Sequence, residues 1–166
     1  MKLSEALVKV ATDEIGVTEV AGSNCGPRVD QYKAATWMDN PKQGFAWCAS
    51  FVCWCMREAL VVAGVHETST FKRPQTASAW DFINWSKKQD DSTATATTVR
   101  SNMIQTGDIV VYQFSHIGIA VSACKNNGDF YAVEGNTDQA GSREGGGVYK
   151  KLRNASQVRA RIRLMV

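Results

Sequence analysis

The order of two periodicities along the chain predicts an α+β fold, with N-terminal helices packed on a C-terminal antiparallel β-sheet. Through residues 4–88 apolar side chains recur at the three-and-four spacing of helices. From Asp108 onward β-branched and aromatic runs separated by turn residues take over. Helices first and consecutive strands afterwards favour strands joined by hairpins, hence an antiparallel sheet.

Leu7, Val10, Ala11 and Ile15 place a helix over residues 4–15, capped by Ser4 and stopped by Gly16. Pro27 suits the first position of a short second helix, on which Val29, Tyr32 and Thr36 share a face. After the break Asn40-Pro41-Lys42-Gln43-Gly44, a third helix begins at Cys48. Its apolar face is Phe51, Val52, Cys55, Ala59 and Val62, with Ser50, Arg57 and Glu58 elsewhere, and Gly64 ends it. A further helical pattern starts at Thr76 or Ser78 and runs to Lys88 through Ala79, Phe82 and Ile83. The polar run from Asp90 to Thr98 holds too few large apolar residues to order itself and reads as a surface connector. Strands are predicted at 108–114, 117–121, 130–134, 148–152 and 158–164. Ser115-His116 and Asn126-Asn127-Gly128-Asp129 form tight turns, and 138–147 has the composition of a flexible loop.

A chain of 166 residues suits one domain. Its 44% hydrophobic and 21% charged residues are ordinary for a globular protein and leave no stretch for stable membrane insertion. A net charge of +3 permits attraction to an anionic surface such as a bacterial envelope but does not mark a nucleic-acid binder. Five cysteines without C-x-x-C spacing suggest neither a disulfide framework nor a zinc ribbon, and point to folding in a reducing compartment. Lys9 interrupts the only N-terminal apolar run, so no signal peptide is expected; a monomer made in the cytoplasm is.

Chemistry concentrates at the third helix. Cys48 sits in its first turn, where unpaired backbone N–H groups and the positive end of the dipole favour a thiolate. A cysteine nucleophile needs a base, and only His66 and His116 are present. His66 lies in a stretch without a defined element, whereas His116 opens a strand beside a turn. An imidazole needs an acceptor to set its tautomer, and Glu134 and Asn136, two apart at the end of the following strand, share a face if that strand continues. A buried structural cysteine, an inert binding module and a metal site from Cys48, Cys53, Cys55 and His116 are the competing readings; the last fits no common zinc spacing.

Trp47-Cys48-Ala49-Ser50-Phe51-Val52, Gly107-Asp108-Ile109-Val110, His116-Ile117-Gly118-Ile119 and Glu134-Gly135-Asn136 resemble the successive motifs of the CHAP family, the cysteine, histidine-dependent amidohydrolases/peptidases. Gly26-Pro27-Arg28-Val29-Asp30-Gln31-Tyr32 resembles the region upstream of the cysteine in some members, so the likeness runs from about Gly16 to Asn136. It implies a papain-like fold and cleavage of amide bonds in bacterial peptidoglycan. Cys48 would then be the nucleophile, His116 the base, Glu134 the orienting acid and Asn136 an auxiliary polar group. Gln43 is a candidate second oxyanion donor; Trp47, Trp80 and Trp85 are candidate groove walls, with core packing the competing role for tryptophan.

Some members bind calcium through an acidic loop before the cysteine, but residues 40–46 contain no acid, so no metal and no cofactor are expected. No separate wall-binding domain is visible. The compact form resembles phage endolysins and toxins of contractile secretion systems. A cytoplasmic amidase acting on a soluble peptide or polyamine conjugate is the alternative within the family.

Overall fold

A computed structural model describes residues 1–90, 92–97, 103–141 and 145–166. Four helices, α1 (Leu3–Asp13), α2 (Pro27–Lys33), α3 (Cys48–Ala63) and α4 (Asp81–Lys87), accompany six strands. These are β1 (Ala94–Thr97), β2 (Ile109–Tyr112), β3 (Ile117–Ala120), β4 (Asp129–Thr137), β5 (Gly147–Asn154) and β6 (Val158–Leu164). They form one sheet in the order β1-β6-β2-β3-β4-β5 in which every pairing is antiparallel. This is the predicted α+β architecture. Among the described residues no helix is long and apolar enough to cross a membrane.

Helix α3 is the hub. Its first nine residues, Cys48–Met56, are all buried, because α1 and α2 pack on it from one side and β3 and β4 from the other. Ile109, Val111, Ile117, Ile119 and Val133 form the centre of the sheet's contribution to that core, with Ala94, Val148, Ile162 and Leu164 from the outer strands and β6. The alternate residues Val110, Tyr112, Ala120, Phe130 and Ala132 build a second, smaller cluster on the opposite face.

Several boundaries differ from expectation. Helix α1 starts at Leu3 with Lys2 as its cap residue, not Ser4; it stops before Ile15, which is 41% exposed. Thr36 is buried but lies beyond the end of α2. On α3, Val62 is 48% exposed and Ser50 fully buried, the reverse of the predicted faces, because partners surround the helix's first half and leave its last turn in solvent. Helix α4 begins at Asp81, later than predicted.

The predicted connector contains a strand: Ala94–Thr97 pairs with Arg161–Leu164 at the sheet edge. Its four residues are small or β-branched, and the pairing with β6 supplies the order that their own burial does not. Asp91 and Thr98 of that prediction lie outside the described residues, as do positions 142–144 of the predicted flexible loop.

Candidate active site

Cys48 is the first residue of α3 and 7% exposed. The chain reaches it through residues 40–47, a loop pinned from beneath by Lys33. That ammonium is fully buried and donates to the carbonyls of Asn24 at 2.6 Å and Gln43 at 2.7 Å, with Asp30 at 3.5 Å as its charge partner. Trp47, just before the nucleophile position, is fully buried, stacked on Tyr32, with its indole N–H on Glu19 at 2.9 Å. It is therefore a packing residue and not a groove wall. Gln43 is exposed, with its backbone engaged by Lys33 and Asn40.

Glycine makes the contact between sheet and helix. A Cβ on Gly135 would stand 2.7 Å from the Phe51 Cβ and 2.9 Å from the Trp47 Cζ3, so β4 reaches the start of α3 only because position 135 has no side chain. Glu134 and Asn136 flank this point, both fully buried. A bulge between Glu134 and Thr137 and a left-handed Asn136 (φ 53°) break the strand's alternation here. Among the described residues the Asn136 amide has no hydrogen-bond partner on either its oxygen or its nitrogen.

His116 directly precedes β3, in a turn where Ser115 takes φ 56° and the Tyr112 N–H closes on the His116 carbonyl at 2.9 Å. The imidazole is fully buried and lies nearly parallel to the rings of Tyr112 and Phe114, at centroid distances of 5.9 and 6.0 Å. Its Nε2 meets the Glu134 carboxylate at 2.9 Å. Nδ1 has no formed bond, which leaves it for the Cys48 sulfur. Burial alone would lower the imidazole pKa, but the neighbouring Cys48 sulfur and the Glu134 carboxylate raise it to about 9. The structure thus brings Cys48, His116 and Glu134 together. His66 is exposed beyond the far end of α3, a helix about 24 Å long at 1.5 Å per residue, and is no partner for Cys48.

Two residues that the sequence reading did not single out complete the arrangement. Arg153 of β5 grips Glu134 with two nitrogens, at 2.8 and 2.5 Å, and the Tyr112 hydroxyl donates to the same carboxylate at 2.7 Å. Burial pushes the Glu134 pKa up, yet the bonds from Arg153 and His116 outweigh it and hold the group below the ordinary carboxylate range. Tyr112 is driven well above the usual phenol range by burial and the Glu134 charge, so it stays a donor. Gly118 makes room for the carboxylate's stem, since a Cβ there would lie 2.6 Å from the Glu134 Cγ. In sequence, Arg153 looks like one more cation of Lys150-Lys151-Leu152-Arg153; only the pairing of Arg153 with Phe130, on the face Glu134 shares, reveals its partner.

The arrangement is a sulfur, an imidazole and a buried ionised carboxylate in series, a chemistry suited to nucleophilic attack with proton return. Among the described residues no group of three or more His, Cys, Asp or Glu side chains could hold a metal ion. All five cysteines are free, and burial pushes Cys53 up to about 12 and Cys55 well above the ordinary thiol range, so neither is an alternative nucleophile.

The model of the CHAP domain matches residues 40–136, a span that contains Cys48, His116, Glu134 and Asn136. The chain belongs to the CHAP domain family. A crystal structure of the wild-type endolysin LysIME-EF1 is similar in fold, with a TM-score of 0.54 and 17% identity. The similarity covers 99% of this chain and 64% of that one, so this chain spans less than two thirds of the endolysin's length. No curated protein matches it in sequence.

Proposed function

We propose that the protein is a cysteine-dependent amidase or endopeptidase of bacterial peptidoglycan, acting as a single catalytic domain over residues 1–166. The observation that carries this reading is the His116 imidazole, held by Glu134 on one nitrogen and open to Cys48 on the other. Membership of the CHAP family and the fold likeness to an endolysin support the choice of substrate. The same likeness favours a phage-lysin role, and with that role goes the proposal of a monomer made in the host cytoplasm that acts on the wall after release.

In this mechanism the Cys48 thiolate attacks the carbonyl carbon of a stem-peptide amide, and His116 carries the thiol's proton as imidazolium. The oxyanion of the tetrahedral intermediate lies at the start of α3, where the Cys48 N–H is one donor. Collapse expels the amine as His116 Nδ1 protonates it, leaving a thioester on Cys48. Water, deprotonated by the now neutral imidazole, attacks the thioester, and breaking the C–S bond restores the thiolate and imidazolium. Glu134 holds Nε2 throughout, and Arg153 with Tyr112 keeps Glu134 ionised and aimed. Asn136, whose buried amide has free hydrogen-bonding capacity, serves as the auxiliary polar group at the same strand end.

The test is Cys48→Ala. The variant is expected to keep the wild-type circular dichroism while losing all ability to clear a suspension of purified cell walls, and retained clearing would remove Cys48 from the mechanism. Mass spectrometry of the released muropeptides then identifies the bond cut. Release of amines only from soluble thiol or polyamine conjugates would end the wall reading.

A further inference from the structure

A second concave site lies outside the residues this reaction uses. A groove of about 440 Å³ opens between Trp37 and Trp85, a size within the roughly 300–1,000 Å³ typical of small-ligand sites. Trp37 is 73% exposed, which leaves a large apolar ring in water at a cost that folding alone does not recover. Its backbone is nevertheless fixed, with its N–H on the Gln75 carbonyl at 2.9 Å. Trp85 is anchored by its indole N–H on the Lys72 carbonyl at 2.7 Å and by edge contacts with Phe71 and Phe82. The Arg73 guanidinium ties the two walls by donating to the Ala35 carbonyl at 2.8 Å. The Trp85 wall and the backbone beneath Trp37 are therefore set before any ligand arrives, which removes part of the ordering cost from binding.

The charge around the groove is unbalanced. Lys72, Arg73 and Lys88 supply three cations against the single carboxylate of Asp81. Flat apolar ring faces suit the C–H faces of a pyranose, and surplus positive charge suits a carboxylate carried on the same sugar. We propose that this groove binds the glycan strand of the cell wall where stem peptides have been removed, with a hexosamine ring against Trp37 and Trp85 and the sugar-borne carboxylate freed by that removal at Lys72 and Lys88. The proposal rests on the wall-substrate reading above and adds a place where the strand is held. Residues 76–80 lead from the groove to the catalytic residues: the Cys53 thiol donates to the Thr76 carbonyl at 3.3 Å, and the Trp80 indole to the Tyr112 carbonyl at 2.9 Å. A strand seated in the groove lies along the segment that borders the strand turn carrying His116.

The experiment titrates peptide-free glycan strands, stripped of stem peptides, into the Cys48→Ala protein by calorimetry. A neutral chitooligosaccharide and a polyglycerol phosphate serve as comparison ligands. Glycan strands are expected to bind, with Trp37→Ala weakening them about tenfold, the loss of one stacking contact. The double variant Lys72→Glu, Lys88→Glu is expected to abolish the preference over the neutral sugar. With Cys48 intact, Trp37→Ala should leave cleavage of a soluble stem-peptide substrate unchanged. Equal glycan affinity with and without Trp37, or binding of the polyglycerol phosphate in place of the glycan, would overturn the assignment. Wall cleavage without Trp37-dependent glycan binding sinks the groove alone, whereas Trp37-dependent binding without cleavage sinks the hydrolase alone.

Discussion

Glu14 and Glu134 are each gripped by an arginine fork and a tyrosine hydroxyl, one among the helices and the other on the sheet. Arg28 donates to Glu14 at 2.8 and 2.7 Å and Tyr32 completes the set, as Arg153 and Tyr112 do for Glu134. In both places burial works against the charge and the hydrogen bonds overcome it, so both carboxylates lie below their ordinary range. Two differences separate them. The Arg28 side chain is 42% exposed and lies over Trp54, whereas that of Arg153 is 7% exposed; and only Glu134 has an imidazole, itself beside a sulfur. The fork and the hydroxyl are thus a means of burying an acid, and the histidine is what draws one of the two acids into the proposed reaction.

The largest expected effect is on stability. Arg153→Met leaves a buried carboxylate without its counter-charge and is expected to cost about 3–5 kcal/mol in urea unfolding. Arg28→Met, whose charge is partly in water, is expected to cost about 1 kcal/mol and leave kcat/KM unchanged. Similar losses at both sites would erase the distinction between them.

Next comes pH. The His116 pKa, raised from 6.5 to about 9 in the fold, means that the native state holds a proton the unfolded chain releases. Its stabilisation, at most about 3 kcal/mol, is complete below pH 6.5 and disappears as pH rises through about 9. Unfolding midpoints should therefore fall across that window in the wild type and fall less in Cys48→Ala, which lacks one of the two partners that raise the imidazole. A flat wild-type profile would contradict the assigned pairing. Activity should decline on the alkaline side near the same value.

The smallest effect separates orientation from packing. Glu134→Gln is expected to lower kcat/KM about a hundredfold through a misheld imidazole, while Glu14→Gln alters melting alone. Equal kinetics for the two variants would deny Glu134 its orienting part.

Much of this was legible in the sequence where the signal is local. Pro27 and Gly64 bound their helices as their backbone preferences dictate, and β6 occupies the predicted 158–164. Cys48 and His116 stand out because cysteine and histidine are few and each sits beside the start of an element, whereas Glu134, one of seven glutamates and inside β4, is picked out only by following His116 on the next strand. What stayed hidden depends on partners far along the chain. Ala94–Thr97 becomes a strand through β6, Ser50 is buried by neighbours that its own helix does not specify, and Arg153 acquires its carboxylate only when β5 lies beside β4. Trp47 shows the converse, a residue beside Cys48 that is wholly committed to Tyr32, Glu19 and the core.

The bare backbone at Gly135 gives the molecule a mechanical weak point. One added methyl there acts as a spacer between two rigid layers, since neither the Phe51 Cβ nor the Trp47 ring is the loose end of a chain able to swing aside. Gly135→Ala should therefore produce a folded but chemically silent protein, seen as preserved circular dichroism with the alkaline transition of His116 moved toward that of an isolated imidazole. Under the proposed wall substrate, such a decoupled form would keep its hold on the strand while losing cleavage, a starting point for a non-lytic label.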